Sequence, residues 1–168
     1  MRNGVGAFIL VFLVVLMSSA QEPAPPVVKA HVDDPIQAND PRSVQSHAEI
    51  QSLVFSMTER WNAHDLEGFM EGSWKSKDFL LVIDAQEIRG WAEALAAYQR
   101  GYADRNMMGN LVCERLETQL ITPETALIVT RWTLYLKGGK VLGTSTMVGR
   151  KFAEGWKIIS DHSTTLEP

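Results

Sequence analysis

Three stretches of helical spacing are followed by a long run of strand-like alternation. Ile50, Leu53, Val54, Met57 and Trp61 recur at three- and four-residue steps, which places them on one helix face. Ser46 and Glu49 stand at capping-box spacing and predict its start; the pattern ends near Asn62. Asp65 can cap a short second helix that carries Leu66, Phe69 and Met70. Phe79 to Ile83 reads as a short strand, Asp84-Ala85-Gln86 as a turn, and Glu87 to Arg89 as its return. Behind Gly90, the side chains of Trp91, Leu95, Tyr98 and Tyr102 share the buried face of a third helix.

The period then changes to two. Leu111 to Leu120, Thr125 to Leu136, Val141 to Phe152 and Trp156 to Ser163 read as four long strands. Lys137-Gly138-Gly139-Lys140 and Ala153-Glu154-Gly155 supply the turns, glycine accepting positive φ cheaply. Helices followed by an antiparallel meander make an α+β domain with its helices on one sheet face. Strand Thr125 to Leu136 is apolar on both faces, with Leu127, Val129 and Tyr135 opposite Ile128, Trp132 and Leu134. Helices cover one face; the other predicts a homodimer contact.

Two segments precede this domain. Arg2, the apolar run Ala7 to Met17 and the small residues Ser18-Ser19-Ala20 read as a signal peptide over 1–20. The run is shorter than a membrane span needs, so no stable span is expected after processing. Residues 21–44 hold Pro23, Pro25, Pro26, Pro35 and Pro41 with several acidic residues, the composition of a disordered tether. The domain proper is then 45–168, and the expected location is secreted or periplasmic.

The formal charge of -4 over 168 residues offers no field for phosphate backbones, which argues against nucleic acid. Lone Cys113 has no disulfide partner and reads as buried packing. The four histidines show no metal-ligand spacing, and no motif points to a cofactor.

The helix ending Trp61-Asn62-x-His64-Asp65, the hairpin into Arg89-Gly90, and the closing Gly155-Trp156-Lys157-Ile158 and Asp161-His162-Ser163 carry a resemblance. Over about residues 46 to 165 the chain resembles the SnoaL-like branch of the nuclear transport factor 2-like superfamily, in particular its bacterial domains of unknown function. The resemblance implies three N-terminal helices packed in the concave face of a strongly bent antiparallel sheet, a cystatin-like cone. It also implies an apolar pocket with a few polar groups. Members range from isomerases, cyclases and dehydratases to non-catalytic binding and assembly modules, so the fold licenses a pocket and nothing sharper.

Against ketosteroid isomerase chemistry, Asp84 falls near the family's base, but the donor positions read as Met57 and, roughly, Val148. Neither donates a useful proton. Asp84 is equally a good turn residue. His162 is the other candidate for acid–base work: strict alternation puts it on one face with Trp156, Ile158 and Ser160, and Asp161 on the other. The apolar members of the His162 face belong on the helix-covered side, so its ring is expected inside the cone. Trp61, Trp74, Tyr98 and Trp132 are candidate ligand-binding aromatics or simple core. Three functions stay open: an exported domain binding a small apolar organic ligand, an acid–base enzyme of the isomerase, cyclase or dehydratase type, and a non-catalytic dimeric assembly module.

Overall fold

The computed structural model describes residues 29–31, 40–104 and 107–166. The segment 1–20 expected to be a signal peptide, and most of the segment 21–44 expected to be a tether, lie outside the described residues. In chain order the elements are β1 (Lys29–His31), α1 (Pro41–Asn62), α2 (Leu66–Met70), β2 (Leu80–Ile83), β3 (Gln86–Arg89), α3 (Trp91–Gly101), β4 (Asn110–Thr122), β5 (Thr125–Leu136), β6 (Gly139–Phe152) and β7 (Gly155–Leu166).

Helix α1 starts earlier than the capping-box spacing implies. Asp40 is its N-cap, accepting from the Arg42 amide at 3.1 Å, and Pro41 takes the first turn, where a missing N–H costs nothing. Ser46 is therefore a buried residue inside the helix. Glu49 reaches outward instead: its carboxylate accepts from Lys151 Nζ at 2.8 Å and Trp156 Nε1 at 3.1 Å, tying α1 to β6 and β7. Asp65 caps α2 as expected, accepting from the Gly68 amide at 2.8 Å.

Among the described residues the sheet has seven strands in the order β1-β4-β5-β6-β7-β2-β3. The meander β4 to β7 is antiparallel, but the sheet as a whole is mixed, because β1 joins β4 and β2 joins β7 in parallel. Strand β1 falls within the stretch expected to be a tether. The β2–β3 hairpin precedes α3, and it docks on the last strand with Leu81 beside Asp161 and Ile83 beside Ser163.

The helices fill the concave side of this open sheet. Ile50, Val54 and Met57 of α1 and Met70 of α2 pack on Leu81, Leu116, Ile128, Met147 and Ile158. Bulges occur where Glu114 and Ile121 are unpaired in β4 and where Ile159 is unpaired in β7. Each bulge bends its strand and steepens the twist, which is how a meander wraps around helices.

Candidate functional site

Strand β7 enters the core with Trp156 and Ile158 buried. Val148 then pairs with Ser160 and Gly149 with Ile158, so Ile159 is the extra residue of a bulge. One inserted residue exchanges the two faces of everything beyond it. Past the bulge, Asp161 and Ser163 belong to the inner face, while His162 is exposed. The placement of His162 inside the cone, expected from unbroken alternation, is thereby corrected. Gly149 marks the partner side of the kink. A Cβ there would come within 2.9 Å of Ile128 Cδ1 and 3.5 Å of the Trp156 ring.

The inner face then carries a directed chain of hydrogen bonds. Trp132 Nε1 donates to Ser145 Oγ at 3.0 Å, the Ser145 and Ser163 hydroxyls lie 2.7 Å apart, and Ser163 Oγ donates to Asp161 Oδ1 at 3.0 Å. The ionised Asp161 carboxylate can only accept, so it takes the single proton of Ser163, and the proton between the two hydroxyls must then come from Ser145; the carboxylate end sets the sense of the chain. Ser145 accepts from Trp132 and gives its own proton to Ser163, and Ser163 passes its proton to Asp161. Every donor in the chain points toward the carboxylate. The register explains the assembly: Ser145 pairs with Thr130 on β5 and with Ser163 on β7. Trp132 stands opposite Gly143, which has no side chain to obstruct the indole lying across it.

Aromatic rings adjoin this chain. Trp61 meets Phe69, Tyr98 and Tyr102 edge-on, with ring centres 5.2, 6.1 and 4.8 Å away, and Tyr98 stacks near Tyr102 at 6.2 Å. Trp132 packs into the same cluster. The Trp61 indole is committed to the Met108 carbonyl at 2.9 Å, so it is a wall and not a polar contact. Tyr98 touches both core clusters and lies at the junction of the aromatic wall and the Asp161 end of the chain.

Electrostatics marks the same spot. Burial pushes the Asp161 carboxyl up to about 6, against the opposing hydrogen bond from Ser163 and the field of His162. Burial, and then the Asp161 charge, hold the Tyr98 hydroxyl well above its ordinary range, so it keeps its proton. Asp161 and Tyr98 are deeply enclosed by protein, yet neither is sealed from solvent. Enclosure with solvent contact is the condition of a group lining a concavity. Ile83, Leu95 and Trp132 on the same inner side are also only half-buried. The face of α3 predicted to be buried is thus partly open, with Ala94 its one buried residue.

The remaining candidates fall elsewhere. Asp84 is exposed at the β2–β3 turn with φ of +52°, and its carboxylate accepts from the Thr165 amide at 2.9 Å and the Thr165 hydroxyl at 3.2 Å. That is the geometry of a turn residue latching the hairpin to β7. Trp74 stacks on Phe152 at 5.8 Å, apart from the Trp61 cluster. Met57 is buried against Gly72, and Val148 pairs with Ser160 on the outer side of the bulge, where Met147 takes the inner position opposite Asp161. The structure therefore brings Trp61, Tyr98 and Trp132 together and separates Trp74, Asp84 and His162 from them. Asp161, Ser145, Ser163 and Tyr102 complete the site. The signal for Asp161 was the doublet Ile158-Ile159, two adjacent apolar residues that break alternation just before it.

Among the described residues no group of histidine, cysteine, aspartate and glutamate side chains is arranged to hold a metal ion. No helix among them is long and apolar enough to cross a membrane.

No family model and no curated protein matches the sequence. Solved structures do. A nuclear transport factor 2-like protein of unknown function from Shewanella oneidensis is 30% identical, with a TM-score of 0.67; the match covers 70% of this chain and 97% of that one. A cystatin-like domain of unknown function from Nostoc punctiforme is 19% identical over 74% of this chain and 79% of its own, with a TM-score of 0.63. A candidate scytalone dehydratase from Novosphingobium aromaticivorans matches at a TM-score of 0.65 over 75% of this chain and 87% of its own, at 9% identity. The latter two likenesses concern the fold alone.

Proposed function

The chain belongs to the nuclear transport factor 2-like family, and from that premise we propose that its cone binds a small, largely apolar organic molecule. The observation that carries the reading is the enclosed but unsealed Asp161 at the end of the Trp132–Ser145–Ser163 chain, beside the Trp61–Tyr98–Tyr102 wall. Apolar walls with a few convergent polar groups are what small-molecule sites are made of. Trp61, Tyr98 and Trp132 supply the walls and Asp161 the polar contact. The test is a thermal-shift and NMR screen of small aromatic and alicyclic compounds, with Asp161→Asn as control. Binding that shifts the Trp132 indole signal supports the proposal. A library that never moves it defeats it.

A second reading, acid–base catalysis on such a ligand, is favoured by one observation: a carboxyl held near 6 exchanges protons in the neutral range. The Novosphingobium protein described as a candidate dehydratase shares the fold, but at 9% identity it assigns no chemistry to this chain. Turnover lost in Asp161→Asn with binding retained would separate the enzyme from the binder.

The same proposal includes export and pairing. Residues 1–20 direct the chain to a secreted or periplasmic location, which an intact-mass measurement of exported protein checks; a mass retaining them would oppose it. Leu127, Val129 and Tyr135 of β5 and Val148 of β6 leave the outer sheet face half-exposed and apolar, and a second copy of the chain covers it. Light scattering across micromolar concentrations reads the state directly, and a monomer throughout would oppose pairing.

A further inference from the structure

We infer that the ligand of the cone is an organic cation, an ammonium group carried on an apolar body. The inference rests on the proposed binding function and names the class of molecule the site would take.

Three observations lead there. The first is the direction of the hydrogen-bond chain. The protons of Trp132, Ser145 and Ser163 are all spent pointing toward Asp161, so the chain presents no free hydroxyl proton of its own. It ends in an acceptor. A ligand that meets the open side of Asp161 must bring the donor, and a ligand carboxylate or phosphate there would face like charge.

The second observation is the missing counter-charge. Among the described residues no lysine or arginine forms an ion pair with Asp161; pairs such as Arg60 with Asp65, Arg115 with Glu117 and Lys151 with Glu49 lie elsewhere. The neighbouring His162 is exposed on the other face and makes no ion pair with Asp161. A half-buried carboxylate held by one hydroxyl is under-compensated, and its partner is normally a cation. Here Asp161 keeps partial contact with solvent and has no such partner among the described residues.

The third observation is the wall. Trp61, Tyr98, Tyr102 and Trp132 form one cluster beside the carboxylate. Aromatic faces attract desolvated cations through their quadrupoles, and they do so without hydrogen bonds of their own. A carboxylate with an aromatic wall discriminates an ammonium from its neutral isostere twice, once by charge and once by ring. A neutral donor can hydrogen-bond Asp161 but gains neither the charge pairing nor the cation–ring attraction, and it leaves the carboxylate charge uncompensated.

The experiment compares three probes of one shape in the full-length mature protein at neutral pH: benzylamine, benzyl alcohol and benzoate. The alcohol keeps a donor and removes the charge; benzoate inverts the charge. Binding is followed by the indole N–H NMR signal of Trp132, assigned with Trp132→Phe. The expected result is that benzylamine binds about tenfold or more tighter than benzyl alcohol, with benzoate weakest, a margin that one paired charge and one ring contact supply. In Asp161→Asn the amine should lose that margin and fall to within about threefold of the alcohol. The wild-type ratio stands on its own if the variant folds poorly. Alcohol binding as tight as amine, both moving Trp132, would overturn the cation and leave the binding cone intact. If no probe moves Trp132 at millimolar concentration, the cation inference falls together with the pocket it rests on. Equal amine affinity in wild type and Asp161→Asn would remove Asp161 as the reason for any preference.

Discussion

Ser163 Oγ donates to Asp161 Oδ1 at 3.0 Å from two residues along the same face of β7. Burial raises this carboxyl and the Ser163 bond works against that rise, so the two effects separate by mutation. Ser163→Ala should push the Asp161 carboxyl higher still, because it removes the opposing bond. Ser145→Ala should act in the same direction and more weakly, because it only removes the hydroxyl that polarises Ser163. A carbon-detected NMR titration of the Asp161 carboxyl measures both. A fall in either variant would mean the chain runs in the opposite sense.

The same raised carboxyl makes stability depend on pH with a definite sign. Asp161 goes from 3.8 in the unfolded chain to about 6 in the native state, so between those values the native state holds the extra proton. Its contribution is fully present below 3.8 and is lost as pH rises through 6. Asp161→Asn keeps the shape and removes the charge. The variant should be more stable than the parent at pH 8 by roughly 1–3 kcal/mol, with the advantage vanishing near pH 3.5. Urea denaturation at the two pH values is the check. An unchanged difference between them would show that Asp161 is well solvated. Gain of stability with loss of binding is the pattern expected of a residue kept for function.

Gly143 is required by its neighbour Trp132. A Cβ at Gly143 would fall inside the indole ring, against atoms Cζ2, Cε2 and Cη2. The ring cannot yield without giving up its bond to Ser145. Gly143→Ala should cost roughly 1–3 kcal/mol and displace the Trp132 indole resonance. Glycine 138, in the β5–β6 turn, has open space at its Cβ, so Gly138→Ala is the control that should change stability far less. Comparable losses in the two would mean that chain entropy, and not the indole, sets the cost.

The helices, the turns and the four long strands were legible because each rests on local chemistry: Asp65 caps α2, Gly138-Gly139 turns β5 into β6, and apolar residues recur at the period of their element. The start of α1 was misplaced because Asp40-Pro41 and Ser46–Glu49 are both sound caps, and Glu49 is claimed by Lys151 and Trp156 from more than a hundred residues away. The parallel docking of β2 on β7 has no local signature at all. The site depended on one inserted residue. Ile159 interrupts the pairing, so alternation counted from Trp156 gives the right face for Ile158 and the wrong one for His162 and Asp161. The aromatic wall was readable from spacing on α1 and α3, whereas Trp74 was not distinguishable from it until Phe152 was seen beneath its ring.

Cys113 provides a test of how β4 opens. It is 5% exposed, its thiol donates to the Arg115 carbonyl at 3.4 Å across the bulge at Glu114, and burial, followed by the Glu114 charge, pushes it up to about 11. The thiolate is the reacting species, and at neutral pH only about one such thiol in ten thousand is ionised. Enclosure slows it further. Native protein should therefore react with an aromatic disulfide reagent at least about a hundredfold more slowly than urea-unfolded protein, and in step with global unfolding as urea is raised. Rapid native labelling that ignores urea would show that β4 opens locally at its bulge. In that event the Cys113–Trp132 pair of the β4–β5 ladder is loosened, and the indole that donates to Ser145 should exchange its N–H proton at the same rate.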